Sequence, residues 1–278
     1  MLVSETIACA NQKGGVGKTT TVVNLATYLA SHGRRVLVLD LDPQGNATSG
    51  LGLDRESLAA TTYDALVDGR ALIDLLVPTP SAGVDIVPST IALAAVEIEL
   101  ATTPQRERRL ARVLEGVTSR YDDVLIDCPP SLGLLTINAL TAADRVLIPL
   151  QCEYYALEGL GQLLATIDLV RDHLNPSLAI DGVVLTMYDA RTKLSADVAA
   201  EVRTHLGGLV YETIIPRSVR LSEAPSYGLP IATYSPESRG AAAYQALTDE
   251  YLSRRPVRTP AGHDRSPDAI PKTMEAVA

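Results

Sequence analysis

Between residues 12 and 20 the chain reads Gln12-Lys13-Gly14-Gly15-Val16-Gly17-Lys18-Thr19-Thr20, and no other run constrains the fold as much. Ahead of it, Thr6-Ile7-Ala8-Cys9-Ala10 has the character of a short buried strand; behind it, Val23, Ala26, Leu29 and Ala30 share one face at helical spacing. Glycines at such a strand-to-helix turn let successive backbone N–H groups point inward around a phosphate, and the helix N-terminus adds partial positive charge. Lys18 is then placed to reach the β- and γ-phosphates and the Thr19 hydroxyl to ligate magnesium. The usual phosphate-loop pattern has glycine where this chain has Gln12, and the loop carries instead an additional lysine, Lys13, at its front.

After Gly33, which ends the first helix, Val36-Leu37-Val38-Leu39 is an unbroken apolar run stopping at Asp40, the pattern of a strand covered on both faces in a parallel sheet. The alternation resumes with strands at Val84–Val87, Val124–Ile126, Val146–Ile148, Val183–Leu185 and Val210–Ile215. Between and after them the pattern gives a helical pair up to about Val117 and helices over Leu157–Leu169, Ser195–Leu206 and Arg239–Leu252, the last with Ala243, Leu247 and Tyr251 at helical spacing. The expected fold is α/β: a doubly wound, mainly parallel sheet with helices on both faces, formed by residues 1–255 as one domain. Pro256, Pro260, Pro267 and Pro271, with few apolar residues between them, make 256–278 an expected disordered C-terminal tail.

Two carboxylates one residue apart, in Asp40-Leu41-Asp42-Pro43-Gln44-Gly45-Asn46, fall at the carboxyl end of a parallel strand, the edge where open α/β sheets hold ligands. A third, Asp127, ends Val124-Leu125-Ile126, as an acid does that reaches magnesium directly or through water. One acid after a strand is more often a cap or turn residue. Three beside one phosphate loop point to a nucleotide-hydrolysing site.

The composition excludes several alternatives. Hydrophobic residues make up 46% of the 278 and charged ones 21%, globular rather than disordered proportions, and no apolar run is long enough to span a bilayer. Cys9, Cys128 and Cys152 have neither zinc-site nor disulfide-framework spacing and read as buried thiols of a reducing compartment. Met1-Leu2-Val3-Ser4-Glu5 lacks the basic start and apolar stretch of a secretory signal, so a cytoplasmic location is expected. A net charge of −9 offers no global attraction to nucleic acid. The chain has 11 tyrosines but no Phe and no Trp.

Lys13-Gly14-Gly15-Val16-Gly17-Lys18-Thr19-Thr20, together with Asp40-Leu41-Asp42-Pro43-Gln44-Gly45-Asn46 and Asp127-Cys128-Pro129-Pro130-Ser131, resembles the deviant-Walker ATPases of the ParA/MinD family. Three further runs resemble its chromosome-partitioning, Soj-like ParA branch: Pro149-Leu150-Gln151-Cys152-Glu153-Tyr154-Tyr155-Ala156-Leu157-Glu158-Gly159, Asp189-Ala190-Arg191-Thr192, and Ile215-Pro216-Arg217-Ser218-Val219-Arg220-Leu221-Ser222-Glu223-Ala224-Pro225-Ser226. The resemblance runs from about Thr6 to Leu252. It implies magnesium-dependent hydrolysis of ATP to ADP and phosphate, with residues 13–20 around the phosphates and Lys13 crossing to the partner subunit of an ATP-sandwich homodimer. It also implies Asp42 orienting the attacking water, Thr19, Asp40 and Asp127 around magnesium, and adenine against Pro216 and Ser218. Relatives commonly carry Asn where this chain has Ser218, and Phe where it has Tyr188. Gly14 would sit at the close dimer contact, where a side chain would intrude.

From the same resemblance follow ATP-dependent, sequence-independent binding of double-stranded DNA through Arg191 and Arg217 with Arg220 assisting, a nucleoid-associated location, and release after hydrolysis stimulated by a ParB-type centromere-binding protein, in chromosome or plasmid partition. Phosphate contacts need local basic groups, not a basic chain, and weaken steeply with salt. A membrane-bound MinD-like role needs a C-terminal amphipathic helix, for which the proline-interrupted end ending Met274-Glu275-Ala276-Val277-Ala278 has no apolar face. An electron carrier like nitrogenase reductase needs cysteines held ready for a shared cluster, and Cys128 and Cys152 lie inside motifs already accounted for. A scaffold gated by nucleotide, with hydrolysis as a slow timer, is separated from these by turnover. Too few residues precede the first strand for an extra DNA-binding domain there, so site-specific operator binding is not expected.

Overall fold

A computed structural model describes residues 4–153 and 156–255. Tyr154, Tyr155 and the expected tail at 256–278 lie outside the described residues. In chain order the elements are β1 (Glu5–Cys9), α1 (Lys18–Ser31), β2 (Val36–Asp40), α2 (Asn46–Gly50), α3 (Thr62–Leu66), β3 (Val77–Pro78), β4 (Val84–Val87), α4 (Val96–Glu99), α5 (Arg109–Leu114) and β5 (Asp123–Asp127). They continue with α6 (Leu134–Ala142), β6 (Arg145–Gln151), α7 (Ala156–His173), β7 (Ala179–Tyr188), α8 (Lys193–Leu206), β8 (Val210–Pro216), α9 (Val219–Glu223), α10 (Ile231–Tyr234) and α11 (Arg239–Ser253).

The eight strands lie in the order β3-β4-β2-β5-β1-β6-β7-β8, parallel throughout except for the antiparallel pairing of β3 with β4. β1 sits between β5 and β6, so the chain leaves it first toward one half of the sheet and later toward the other. The crevice beyond the carboxyl ends of such strands is where a doubly wound sheet holds its ligand. Apolar runs that look undivided in the sequence are divided by the pleat. Val36 and Val38 face the layer containing α1 and α11, while Leu37 and Leu39 face the layer containing α6, α7 and α8. The same alternation sends Ile7 and Cys9 one way and Ala8 the other.

α6 has no strand-like or capped signature of its own and was not expected from the sequence. No local side chain caps its start; the Leu134 N–H instead donates to Glu97 Oε1 at 3.1 Å, from a segment 37 residues away. The expected helical pair before Val117 is broken into the short helices α4 and α5 with 3-10 turns beside them.

Three tyrosines, Tyr211, Tyr244 and Tyr251, are the largest fully buried side chains, and each hydroxyl has a polar partner: Asp181 at 2.6 Å, Thr21 at 3.2 Å and Asp123 at 3.1 Å. Burying a tyrosine is economical where its hydroxyl is bonded, which gives these core positions a reason not to be Phe. At the amino-end edge of the sheet, Arg255 joins Asp181 at 2.7 Å and stacks on the Tyr251 ring, tying the end of α11 to β7. Beside it, Asp123 is fully buried and held by Arg34 Nη2 at 2.9 Å and by Arg34 Nε.

Arg34→Ala strands that buried carboxylate on Tyr251 alone and is expected to cost about 3–5 kcal/mol in urea unfolding; a loss below about 1 kcal/mol, the scale of an exposed pair, would contradict this account of the edge.

Candidate active site

The phosphate loop leaves β1 and enters α1 through two left-handed glycines, Gly15 (φ 73°) and Gly17 (φ 90°), a conformation that side chains other than glycine rarely adopt. Neighbouring strands brace it. Thr186 Oγ on β7 donates to the Val16 carbonyl at 2.8 Å, and Asn11 Nδ2 donates to the Pro149 carbonyl at 2.8 Å while its Oδ1 accepts the Lys13 N–H at 3.0 Å. Lys18 is buried, and its Nζ donates back across the loop to the Lys13 carbonyl at 3.2 Å. The Lys13 ammonium meets Glu153 at 3.0 Å, outside the loop. A Cβ on Gly14 would lie 3.8 Å from Pro130, an ordinary contact, so this chain's own packing does not demand glycine there.

Opposite the loop stand the strand-end acids. Asp40 and Asp127 are register partners on adjacent strands, both fully buried. Asp40 is well supplied: Oδ1 accepts the Asp42 N–H at 3.1 Å, and Oδ2 accepts the Thr48 N–H at 2.9 Å and hydroxyl at 2.7 Å. Burial nevertheless pushes its carboxyl up to about 6, against those hydrogen bonds. Asp127 contrasts with it. Neither of its buried oxygens has a donor at full hydrogen-bond geometry, the Thr19 hydroxyl being the polar group nearby; burial first, then the Asp40 charge, raises its carboxyl well above the usual range, opposed by that hydroxyl and by the Lys18 charge. A buried carboxylate left without donors, beside the Thr19 hydroxyl and the phosphate loop, is the donor set a hard cation such as magnesium requires. Asp40, whose oxygens already serve the loop ahead of α2, is placed to hold that loop's shape. Asp42 is buried at the cleft and accepts the Gln44 N–H at Oδ1, 2.9 Å away.

Next to the loop, a cavity of about 210 Å³ is lined by Thr19, Thr20, Val23, Asn24, Asn46, Gly50, Leu221, Ala224, Pro225 and Leu229. Pro216, at the end of β8, and Ser218, before α9, do not line it; the next turn of the same segment does. Of its lining, Thr19 and Thr20 were read from the sequence as phosphate-loop residues, Asn46 only as the end of the Asp40–Asn46 run, and Asn24 and Gly50 had no signal.

Arg191 and Arg217 come together at the ends of β7 and β8, both acting on Asp189. Arg191 is 86% exposed and makes a two-pronged pair with Asp189, whose carboxyl it holds well below the usual carboxylate range. Arg220 lies three residues beyond Arg217 and pairs with Glu223 at 2.9 Å. Arg217 is exposed and makes no ion pair among the described residues. The three thiols are buried, and burial raises Cys9 and Cys128 and pushes Cys152 up to about 11, which favours the thiol over the thiolate at each.

Comparison with known proteins agrees with this architecture. The AAA domain family model matches residues 4–180. The Bacillus subtilis sporulation initiation inhibitor protein Soj is 59% identical over 244 residues, covering 88% of this chain and 96% of Soj. The Myxococcus xanthus chromosome partitioning protein ParA is 52% identical, covering 93% of this chain and 91% of ParA. A Mycobacterium smegmatis structure described as cobyrinic acid a,c-diamide synthase with bound ATP analogue and magnesium superimposes with a TM-score of 0.78 at 41% identity, covering 89% of this chain and 93% of that one.

Because the fold raises the Asp127 carboxyl, its ionisation costs stability as pH climbs above the ordinary carboxylate range; in nucleotide-free, magnesium-free buffer Asp127→Asn, which cannot ionise, is expected to lose less melting temperature than the wild type as pH rises. A difference between the two that does not grow with pH would show that Asp127 already has a compensating partner.

Proposed function

The chain belongs to the ParA/Soj family of chromosome-partitioning proteins, and from that membership we propose that it is a DNA-partitioning ATPase that dimerises around ATP, binds duplex DNA without sequence preference, and leaves it after hydrolysis. As a member of this family the chain is an ATPase with ATP and magnesium as its nucleotide and ion. The observation that carries the reading is the unpartnered Asp127 carboxylate facing Thr19 beside a phosphate loop with two lysines.

In the reaction, water oxygen bonds to the γ-phosphorus as the bond to the β–γ bridging oxygen breaks, giving ADP and phosphate. Lys18 exchanges its Lys13 carbonyl for phosphate oxygens, and the N–H groups of residues 14–20 surround them. Thr19 and Asp127 would hold magnesium, with Asp40 behind them, and the ion would supply positive charge to the phosphate oxygens. Asp42 holds the attacking water. Lys13 gives up Glu153 and reaches the partner subunit's nucleotide, adding positive charge where the transition state gathers negative charge. The base and ribose have room in the cavity beside α1 and α2, and Pro216 and Ser218 precede the Leu221–Pro225 segment that lines it.

DNA binding falls to Arg191, Arg217 and Arg220, grouped at the carboxyl edge near the nucleotide. A phosphate backbone competes with Asp189 and Glu223 for two of them and meets Arg217 directly. Such contacts are consistent with a chain of net charge −9, because only the local field matters at a phosphate. A ParB-type protein is the proposed activator, and nucleoid association the consequence of the DNA step. No helix among the described residues is long and apolar enough to cross a membrane.

Retention on an unrelated duplex, measured with ATP, ADP or no nucleotide at two salt concentrations, tests the reading, with liposomes as a parallel surface. Salt-sensitive retention on DNA with ATP alone is expected, together with its loss in Arg217→Glu and persistent ATP-bound dimers on DNA in Asp42→Ala. Retention on liposomes and not DNA contradicts the reading, and wild-type phosphate release by Asp42→Ala would assign the water to another group.

A further inference from the structure

Asp42 can orient water only if the loop that carries it keeps one shape, and that loop spans from the end of β2 to α2 without regular structure. Two hydroxyls fix it from outside. Ser89, after β4, donates from Oγ to the Asp42 carbonyl at 2.8 Å, while its own N–H donates to Thr48 Oγ at 2.9 Å. Thr48, on α2, donates from its hydroxyl to Asp40 Oδ2 at 2.7 Å, and Asp40 Oδ1 in turn accepts the Asp42 N–H. The circuit therefore closes on itself: Asp42, Ser89, Thr48, Asp40, Asp42. Asp40, Thr48 and Ser89 are fully buried, so water cannot substitute for any of these bonds without opening the structure.

A second observation shows how closely the loop is drawn in. Gly45 holds a left-handed φ of 61°, and a Cβ there would stand 2.7 Å from the Ser89 carbonyl oxygen. The backbone of the Asp42 loop is thus pressed against the same residue that bonds its carbonyl. Thr48 also belongs to the helix whose Asn46 and Gly50 line the cavity beside α1, so the circuit joins the wall of that cavity to the loop bearing Asp42.

We propose that Ser89 and Thr48 are positioning residues for ATP hydrolysis, a buried hydroxyl clamp that sets Asp42 at the angle from which it holds the attacking water. The inference rests on the reading of Asp42 given above. Neither hydroxyl touches the reacting atoms; each acts through Asp42. Lost geometry at a positioned group lowers the chemical step more than it lowers substrate binding.

The test is steady-state turnover of the full chain with magnesium and ATP for Ser89→Ala, Thr48→Val and Thr48→Ser, each also in an Asp42→Ala background. Ser89→Ala and Thr48→Val are expected to lower kcat about five- to ten-fold with KM for ATP unchanged, and Thr48→Ser, which restores a hydroxyl, to recover most of the rate. In the Asp42→Ala background neither should lower turnover further. Unchanged kcat in Ser89→Ala, a parallel change in KM, or losses that multiply with Asp42→Ala would overturn the clamp. Should Thr48→Val fail to fold, Ser89→Ala and Thr48→Ser decide the matter. Failure of the underlying reading is separable, since it appears as wild-type turnover in Asp42→Ala alone.

Discussion

The site is organised by a concentration of negative charge that the protein itself does not neutralise. Parallel strands end together, so β2 and β5 bring Asp40 and Asp127 side by side at one edge, and Asp42 follows two residues on. The buried Lys18 faces them across a glycine loop, and its ammonium is turned to the Lys13 carbonyl. Burial raises both strand-end carboxyls, and the charge of Asp42 adds to it at Asp40 as that of Asp40 does at Asp127. The two acids resolve this in different ways. Asp40 collects three hydrogen bonds and becomes the anchor of the Asp42 loop; the Asp127 oxygens, beside the Thr19 hydroxyl, collect none at full geometry, and the proposed function gives them to a cation. On the proposed function, stability is given up at that residue so that a charged ligand can be held there.

The same edge would couple nucleotide to the DNA contact proposed above. α9 and the turn after it line the cavity next to Thr19, and Arg217 and Arg220 flank the start of that helix. Arg191 comes from the end of β7, the strand whose Thr186 braces the phosphate loop. Groups that would meet DNA and groups that would meet ATP thus share two strands and a short helix, and a shift in one can be felt by the other without a long relay.

Much of this was legible in the sequence because the relevant signals are local. The apolar run Val36–Leu39 names a doubly covered strand, Asp40 and Asp127 mark strand ends, and the glycines of the loop announce a backbone that side chains would block. What could not be read depends on contacts between distant segments. α6 is capped by Glu97 rather than by a neighbour, so its start carries no sequence mark. Ser89 follows Pro88 and reads as any turn residue until the fold brings it against Asp42. The cavity is made by α1, α2 and α9 together; the sequence marks its Thr19 and Thr20 through the phosphate loop, while Asn24, Gly50 and Leu229 become lining only once the three helices are packed. The lack of Phe, unaccounted for by composition, gains a partial reason at Tyr211, Tyr244 and Tyr251, where a hydroxyl is bonded inside the core.

The central claim is that the acids and the two lysines form one magnesium–ATP site completed by a second copy of the chain. Its most direct test is a crystal structure of Asp42→Ala grown with ATP and magnesium. The account predicts a dimer in which Asp127 and Thr19 surround the ion, directly or through its waters, Lys18 has left the Lys13 carbonyl for the phosphates, and Lys13 has left Glu153 for the nucleotide of the other subunit. A monomer with nucleotide bound and Lys13 still paired to Glu153, or an ion seated away from Asp127, would contradict it.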